Sequence, residues 1–425
     1  MRRFTGTGMV LLTGLFVTAT MGVDMESTVA YQAFSVLLFL LLVSFCFGWL
    51  FRARFSATRK LPRFGTVGKP FNYPVMVLNQ TRKTQDSLVL IEDLSDTRPG
   101  FAEWRAWQLA EQKQARSLRF TRRRSLNPFK PAAVKEAAIP QLKPNGEAEV
   151  RLEITPLRRG VLRYRGLTVA RPDPLGLFRA LSRFSLPQAV LILPKRYPLP
   201  PIALPGQMKY QAGGVALTSS VGQSEEFVAL RDYRRGDPPR HIHWRSWAKT
   251  GKPIVKEFAD EFFVRHALIL DTFISHPHAE AFEEAVSVAA SFACTIQTQE
   301  SLLDLLFVGA EAYCFTAGRG LAHADQMLEI LASVRACPDK SFQTLETLVL
   351  NHASAVSGCI CVLLDWDEMR RNFVHKLKAS GVPVLVVIIL SSAPDRPLEP
   401  GPMRDEPHRF HTLILGQIEE GLVKL

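Results

Sequence analysis

The sequence predicts a multi-domain protein that has two N-terminal transmembrane helices, a β-sandwich-like module and a C-terminal α/β domain. Three observations support this fold class. Two uncharged apolar stretches open the chain, short β-prone segments broken by Gly and Pro follow, and strand and helix patterns alternate from residue 262 onward. A chain of 425 residues can hold two or three domains, each with its own core. We place the divisions at residues 1–60, 61–205, 206–261 and 262–425.

The two apolar stretches lie at about residues 4–23 and 29–51. The second carries no charge and as a helix would extend about 34 Å, enough to cross a hydrocarbon core of roughly 30 Å. The first contains many Thr and Gly, so it fits either a second span or a signal peptide with Arg2 and Arg3 as its basic start. Because no convincing small-x-small cleavage site follows it, we predict a span.

Charged residues around these stretches set the orientation. Arg2 and Arg3 precede the first stretch, and Asp24 and Glu26 lie between the two. The residues that follow the second stretch are basic: Arg52, Arg54, Arg59 and Lys60. The positive-inside rule places both ends in the cytoplasm. We therefore predict a multi-pass protein of the cell inner membrane, with the bulk of the chain cytoplasmic.

Residues 61–205 have the pattern of a β-rich module. Its candidate strands are short and are separated by turn signals such as Pro99-Gly100 and Asn145-Gly146. Several short strands with this punctuation favour a small β-sandwich. The predicted strands are residues 73–78, 87–92, 148–154, 166–170 and 189–193.

A basic insert at residues 98–135 interrupts this strand series. It holds ten Lys or Arg and only two Glu, and so supplies most of the net charge of +12. One interpretation is a solvated charged segment. Another is a helix on the anionic cytoplasmic leaflet, because Trp104 and Trp107 lie among the cations. Nucleic-acid binding is a third, but no helix-turn-helix, zinc-finger or RNA-recognition pattern accompanies the charge.

The sequence offers little that would support catalysis. It has no phosphate-binding loop, no Gly-x-Ser-x-Gly elbow and no Cys–His pair in a supporting context. The six cysteines show neither zinc spacing nor a disulfide framework, and Cys359 and Cys361 fall in an apolar strand pattern. We therefore predict a protein that is not an enzyme and whose cysteines are reduced.

The segment at residues 225–258 interleaves acids, bases and aromatic residues around a tight turn at residues 236–239. In it, Arg231 and Arg240 are suited to hold carboxylates in bidentate pairs. The candidate interaction residues of this signature segment are Glu226, Arg231, Tyr233, Gly236, Asp237, Arg240, Trp244 and Glu257. The run resembles the core motif of the domain-of-unknown-function 58 (DUF58) family, and differs from it at His243, where the family usually has Asp.

This resemblance implies a function that composition alone does not. Members of the DUF58 family are commonly associated with MoxR-type AAA+ ATPases and with transglutaminase-like membrane proteins. The resemblance therefore implies a membrane-anchored adaptor that works with such an ATPase in assembly or envelope processes. The alternative is a membrane-surface or nucleic-acid binding protein that acts through residues 98–135. Salt would distinguish them, because phosphate binding weakens steeply as ionic strength rises.

From residue 262 the alternation of strands and helices predicts a mostly parallel, doubly wound sheet. The predicted strands are residues 264–270, 303–308, 313–315, 358–364 and 382–390. The predicted helices are residues 279–299, 323–335, 342–353 and 367–379. In such sheets ligands bind beyond the carboxyl ends of the strands, where Asp271 and Asp365 are expected to lie.

Asp271, Ser275 and Asp365 resemble part of the metal-ion-dependent adhesion site of von Willebrand A domains, whose first loop reads Asp-x-Ser-x-Ser. The resemblance implies a von Willebrand A-like (Rossmann-type) fold and Mg²⁺ as the cofactor of a working site. The first serine position is Phe273, which has no oxygen ligand to offer a hard cation. Two interpretations remain: a working Mg²⁺ site, or a degenerate one in which Asp271 accepts hydrogen bonds from loop backbone.

Overall fold

The structure is a computed structural model of the whole chain. It describes residues 2–21, 28–49, 54–95, 100–101, 104–105, 108–109, 129–200, 227–235, 237, 239–258, 265–274, 280–297, 302–317, 321–392, 394 and 397–425. The chain divides into two compact units, Met1–Leu193 and Pro194–Leu425. Each unit has sheets of its own.

Two apolar helices follow a short strand at the start of the N-terminal unit. The elements are β1 (Arg2–Phe4), α1 (Gly6–Met21) and α2 (Thr28–Trp49), and the two helices contact each other. Within α2, Val29–Phe47 is long and apolar enough to cross a membrane, and is equally compatible with a signal sequence. α1 has 16 residues and would extend only about 24 Å. Among the described residues one helix is thus long enough to be a candidate span, and the predicted first span at residues 4–23 stays a prediction, since residues 22 and 23 lie outside the described residues.

The remaining strands of this unit form two sheets. The strands are β2 (Phe55–Arg59), β3 (Phe64–Thr66), β4 (Phe71–Asn79), β5 (Leu88–Leu94), β6 (Ala132–Val134), β7 (Ala137–Ile139), β8 (Glu147–Pro156), β9 (Gly160–Pro172) and β10 (Phe178–Leu193). One sheet has the order β1-β10-β9-β5-β7 with β3 beside β10, and the other has the order β2-β4-β8-β6. The prediction of a β-rich module is confirmed.

A single apolar cluster joins the two sheets. It contains Val75, Val77 and Leu152 from the four-stranded sheet together with Leu90 and Leu167 from the other sheet, all buried. In β4 buried and half-buried residues alternate, which is the period-two pattern of a strand with one face in the core. Each fully buried apolar side chain stabilises the fold by roughly 1.5–3 kcal/mol relative to an exposed one.

The same core encloses a charged cluster. The side chains of Arg59 and Glu92 are fully buried and ion-paired, and Tyr73 donates its hydroxyl hydrogen to Glu92 Oε2 at 2.6 Å. Arg59 Nη2 also donates to the carbonyl oxygen of Leu186 at 2.7 Å. Burial raises the pKa of the Tyr73 hydroxyl above its ordinary value. We grouped Arg59 with the charges that flank the second apolar stretch; its partners place that charge inside the sandwich instead.

In the described part of the C-terminal unit, the first strands form a small hairpin, which an α/β domain follows. The hairpin elements are β11 (Phe227–Asp232), α3 (Trp244–Thr250) and β12 (Ile254–Phe258). The strands that follow are β13 (Arg265–Leu270), β14 (Leu302–Val308), β15 (Ala312–Ala317), β16 (Gly358–Leu363), β17 (Val384–Leu390) and β18 (Phe410–Ile414). The helices are α4 (Glu280–Gln297), α5 (Leu321–Ser333), α6 (Gln343–His352), α7 (Glu368–Ala379) and α8 (Ile418–Leu422).

The α/β domain has a sheet of order β15-β14-β13-β16-β17-β18. Every neighbouring pair is parallel except β14 and β15, so the antiparallel strand lies at an edge. In this domain β13 is the first strand, and β14 and β15 are added in turn on one side of it. The next strand, β16, pairs with the other side of β13. The strand order therefore reverses between β13 and β16; we use the word crevice for this switch point at their carboxyl ends, the position where sheets of this kind bind ligands.

Helices pack against both faces of this sheet. One apolar cluster combines alternate strand residues, such as Ile269 and Cys361, with Leu345 of α6 and Phe373 of α7. The other face of β13, β14, β16 and β17 contacts α4, whose Phe282 is buried. The alternation that the sequence shows therefore predicts a mostly parallel sheet correctly, although β18 was not among the predicted strands.

Candidate functional site

Asp271 follows the carboxyl end of β13, beside β16, at the crevice as defined above. Its backbone N–H donates to the carbonyl oxygen of Val362 at 2.9 Å, which continues the strand pairing up to this residue. The side chain is fully buried. A fully buried carboxylate is costly unless it is paired and hydrogen-bonded.

Both oxygens of Asp271 accept hydrogen bonds. Oδ1 accepts from the backbone N–H of Phe273 at 3.0 Å, and Oδ2 accepts from the backbone N–H of Leu364 at 3.1 Å. Oδ2 also accepts from Arg370 Nε at 2.6 Å. The carboxylate therefore has three donors, two from loop backbone and one from a buried guanidinium.

Arg370 reaches this position from the first turn of α7. Asp367 caps that helix by accepting the backbone N–H of Arg370 at 2.9 Å, and it also accepts Arg370 Nη1 at 2.8 Å. Side chains in a helix point back toward its N-terminus, so an Arg in the first turn projects over the helix start. The guanidinium lies 5.0 Å from the ring centroid of Phe342, and Nη2 donates to the carbonyl oxygen of Phe273 at 3.3 Å.

The Arg370 side chain stays charged in this setting. Burial opposes its charge, but Asp271 and Asp367 raise the pKa of the guanidinium above its ordinary value. Complete burial raises the pKa of the Asp271 carboxyl, while Arg370 and the two backbone donors act in the opposite direction. Because the Asp271 side chain accepts each of its hydrogen bonds, the geometry is that of an ionised carboxylate beside a cation.

The described residues do not fit a Mg²⁺ ion at this position. Mg²⁺ requires oxygen ligands in near-octahedral geometry at about 2.0–2.1 Å, whereas both oxygens of Asp271 are engaged and a guanidinium lies against one of them. Asp365 is exposed and its Oδ1 accepts its neighbour's backbone N–H, from Trp366, at 2.7 Å. Ser275, the third predicted ligand, lies outside the described residues. Elsewhere in the described part of the chain, no group of three or more His, Cys, Asp or Glu could hold a metal ion.

The geometry therefore matches the degenerate interpretation, with loop N–H groups donating to Asp271, and adds a partner that the sequence analysis missed. Arg370 lies 99 residues from Asp271 in the chain. Its only local signal is the position three residues after Asp367, the residue that caps α7. A basic residue in a first helical turn is unfavourable to the helix dipole, so such a residue points to a specific acidic partner.

The signature hairpin, which we define as β11, α3, β12 and the residues between them, is held by an ion pair. Arg231 binds Asp237 in a bidentate manner, with Nη1 to Oδ2 at 2.7 Å and Nη2 to Oδ1 at 2.8 Å. Asp237 also accepts the backbone N–H of Arg234 at 2.7 Å. The hydrogen bonds from Arg231 are the main cause that lowers the pKa of Asp237 to about 2. His243 immediately precedes α3, and its Nδ1 lies 2.6 Å from Ser246 Oγ.

Aromatic side chains are exposed on this hairpin. Trp244 is 63% exposed, and its ring stacks on that of Trp247 with centroids 5.2 Å apart and planes 17° from parallel. Tyr233 and Leu230 are also exposed, as are basic residues such as Arg245. Exposed Trp and Tyr beside Arg are typical of protein–protein contact surfaces.

The structure describes the remaining predicted residues of the signature segment and of the basic insert only in part. Glu226 and Gly236 lie outside the described residues, and the side chains of Arg240 and Glu257 also do. Most of the insert at residues 98–135 lies outside them as well. Within the insert, Phe101 and Trp104 are exposed and their ring centroids are 6.1 Å apart.

Comparison with known proteins shows a family match over this hairpin and most of the α/β domain. Residues 229–401 match the family described as "Protein of unknown function DUF58". The "Uncharacterized protein YeaD" of Bacillus subtilis (strain 168) is 28% identical over 205 residues, which are 47% of this chain and 49% of that protein. The chain thus spans about half the length of this curated relative.

Two solved structures are similar to a third of the chain. The CARDB domain of the PF1109 protein from Pyrococcus furiosus is 14% identical, with 33% of this chain and 89% of that one covered and a TM-score of 0.19. The ASH/PapD-like domain of human CEP192 is 13% identical, with 32% and 85% covered and a TM-score of 0.17. At these TM-scores the likeness carries no inference about function.

Proposed function

We propose that this chain is a membrane-anchored, non-catalytic adaptor that recruits a MoxR-type AAA+ ATPase through the signature hairpin of its DUF58 domain. In this proposal α1 and α2 are two spans of the cell inner membrane and the bulk of the chain is cytoplasmic. A transglutaminase-like membrane protein is the second expected partner. Both partners are implied by the family resemblance of the signature segment.

The observation that carries the proposal is the exposed Trp244–Trp247 stack. Leaving an indole 63% exposed forgoes much of the stabilisation that its burial would give, so such a residue commonly serves a contact. The bidentate Arg231–Asp237 pair fixes the turn before α3, which keeps the surface ordered before a partner arrives. Order before binding lowers the entropic cost of association.

The α/β domain supports the same proposal in a second way. Its strand order, with the antiparallel strand β15 at one edge and a crevice between β13 and β16, supports a von Willebrand A-like (Rossmann-type) assignment. In that assignment Arg370 takes the place that a cation would have beside Asp271. Such a domain acts as a binding scaffold that is complete without a bound ion.

The test is affinity capture of the tagged full-length protein from mildly solubilised membranes, with and without ATP–Mg²⁺. Trp244→Ala is compared with Met369→Ala, a control that also removes a well exposed apolar side chain from the same domain. We expect an AAA+ ATPase to be recovered in a nucleotide-dependent way, and recovery to fall several-fold with Trp244→Ala only.

Other results would separate the alternatives. Equal recovery with both variants would remove the hairpin from the proposal but leave the adaptor role. Recovery of lipid or nucleic acid alone, lost when salt is raised, would refute the adaptor role and favour the insert at residues 98–135. Asp271→Ala, run in parallel, shows whether the crevice contributes, provided that its folding is checked separately.

A further inference from the structure

The turn between β9 and β10 contacts both N-terminal helices. Asp173 Oδ2 accepts a hydrogen bond from the Ser44 hydroxyl of α2. The carbonyl oxygen of Leu177 accepts the backbone N–H of Thr5 at 3.0 Å, and the Thr5 hydroxyl donates to the carbonyl oxygen of Gly176 at 2.5 Å. The turn is thus bonded to α2 and to the residue before α1.

Close packing accompanies these hydrogen bonds. Gly8 and Ser44 are buried, whereas the other helix side chains that the structure describes are half-buried or exposed. A Cβ atom at Gly8 would lie only 2.2 Å from the carbonyl oxygen of Leu177. Phe178, the first residue of β10, lies with its ring centroid 6.3 Å from that of Phe45 in an edge-to-face arrangement. The sandwich is therefore packed directly on the helix pair.

The level of this contact along α2 matters. Ser44 lies three residues before the end of the apolar segment Val29–Phe47, which is about 4.5 Å along a helix axis. The turn consequently lies beside the last helical turn of the apolar segment and not beyond it. If that segment occupies the hydrocarbon core, the turn is at the level of the boundary between acyl chains and headgroups.

The chemistry of the turn suits that level. Its exposed residues are Pro174, which has no backbone N–H, and Leu175, which is 45% exposed. The backbone N–H of Leu175 donates to Asp173 Oδ2 at 3.3 Å, and that of Gly176 donates to the Asp173 carbonyl oxygen at 3.0 Å. Near the hydrocarbon region, irregular backbone is tolerated when its polar groups are satisfied within the protein.

We propose that the β9–β10 turn is an interfacial membrane element, whose tip at Pro174 and Leu175 lies among the lipid headgroups and the first acyl carbons. The inference rests on the proposed membrane anchoring of α2. The occupant of this apolar tip is the bilayer, because the tip is continuous with the helix pair that would span it. The contact holds the sandwich against the membrane in one orientation. A linker alone would attach the sandwich to the membrane without fixing its orientation.

The test uses full-length protein in vesicles of phosphatidylethanolamine and phosphatidylglycerol, with an environment-sensitive fluorophore on single introduced cysteines. Cys46, Cys294 and Cys314, which are not fully buried, are replaced by serine. The labelled sites are Leu175→Cys at the turn, Phe39→Cys within α2 and Val161→Cys, an exposed control. Val161 lies at the far end of β9, roughly 35 Å from the turn at the rise of an extended strand.

We expect a lipid-borne nitroxide to quench the labels at positions 39 and 175, and aqueous iodide to quench position 161 several-fold more strongly than 175. If position 175 behaves like 161 while 39 is quenched by the nitroxide, the interfacial turn is refuted and the anchor stands. If all three labels are quenched only by iodide, both proposals fail. Pro174→Cys gives a second label at the turn should the Leu175 variant fold poorly.

Discussion

Replacing Arg370 with methionine tests the idea that a guanidinium serves as the built-in cation of the crevice. Methionine keeps a long unbranched side chain but removes the charge and every hydrogen bond of the head group. Asp271 would then be fully buried with only two backbone donors. Removing one partner of a buried ion pair costs about 3–5 kcal/mol, and we expect a loss of free energy of unfolding in that range.

The matched control is Arg404→Met in the same domain. Arg404 is ion-paired with Glu399, and both side chains are exposed. Exposed pairs contribute roughly 0.2–1 kcal/mol, so this control removes the same atoms at little cost. Adding Asp271→Asn to Arg370→Met removes the unpaired charge, and the double variant should lose less stability than the two single variants together.

The assay is urea unfolding of the solubilised full-length protein, read by hydrogen exchange in peptides that cover β16 and α7. A local readout is used because two-state unfolding is typical of small single domains, whereas this chain has two compact units. If Arg370→Met shifted the midpoint for these peptides no more than Arg404→Met, the buried pair would not be what holds the crevice together. Stabilisation of the native protein by added Mg²⁺ would also refute the reasoning, because it would reveal a bound ion.

Three further predictions follow from the described contacts. Gly8→Ala should loosen the sandwich from the helices, because the new Cβ would lie 2.2 Å from the carbonyl oxygen of Leu177. The control is Gly14→Ala, whose Cβ would lie 3.7 Å from the nearest atom and should change nothing. Protease cleavage after β1 measures the difference. Glu92→Gln should lower the free energy of unfolding of the sandwich by about 3–5 kcal/mol in a urea titration, because it leaves the buried charge of Arg59 uncompensated. The NMR signal of the Asp237 carboxyl carbon should titrate near pH 2, since the pKa of this carboxyl group is lowered to about 2. The contribution of the ionised carboxylate to stability is present above its ordinary pKa and is lost as the pH falls through about 2.

A specific result would contradict each of these three predictions. Equal cleavage of the two glycine variants would mean that the turn gives way to a methyl group. Glu149→Gln is the control for Glu92→Gln because Glu149 pairs with Arg151 and both side chains are exposed; equal losses would show that burial of the pair is irrelevant. An Asp237 resonance that titrates at the ordinary value would mean that the Arg231 pair does not persist in solution.

The features that could be predicted from the sequence are those whose characteristic residues lie close together in the chain. The DUF58 segment is recognisable because its many spaced residues lie within about thirty positions, and the family match at residues 229–401 confirms it. The buried strands before Asp271 and Asp365 are continuous apolar runs, which is typical of a parallel sheet. By contrast, β18 was missed because it has no continuous apolar run: Leu413 is its one buried residue, and His411 and Thr412 lie side by side before it.

Partners across the fold are the part that the sequence does not reveal. Arg59 follows an apolar stretch, so it was counted as a membrane flank, yet its ion-pair partner is 33 residues away on another sheet. Arg370 is one of several basic residues in α7 and differs from the others only through Asp271, which is supplied by a distant strand. Such pairs are fixed by topology, and the local pattern does not identify the partner.

The stacked indoles of Trp244 and Trp247 also give the hairpin an optical property that a single tryptophan lacks. With ring centroids 5.2 Å apart, the two indoles are close enough for their electronic transitions to influence each other. We expect any partner that separates or rotates one ring to change the tryptophan spectrum without a label being attached. The domain therefore has an intrinsic spectroscopic reporter at the surface where a partner is proposed to bind.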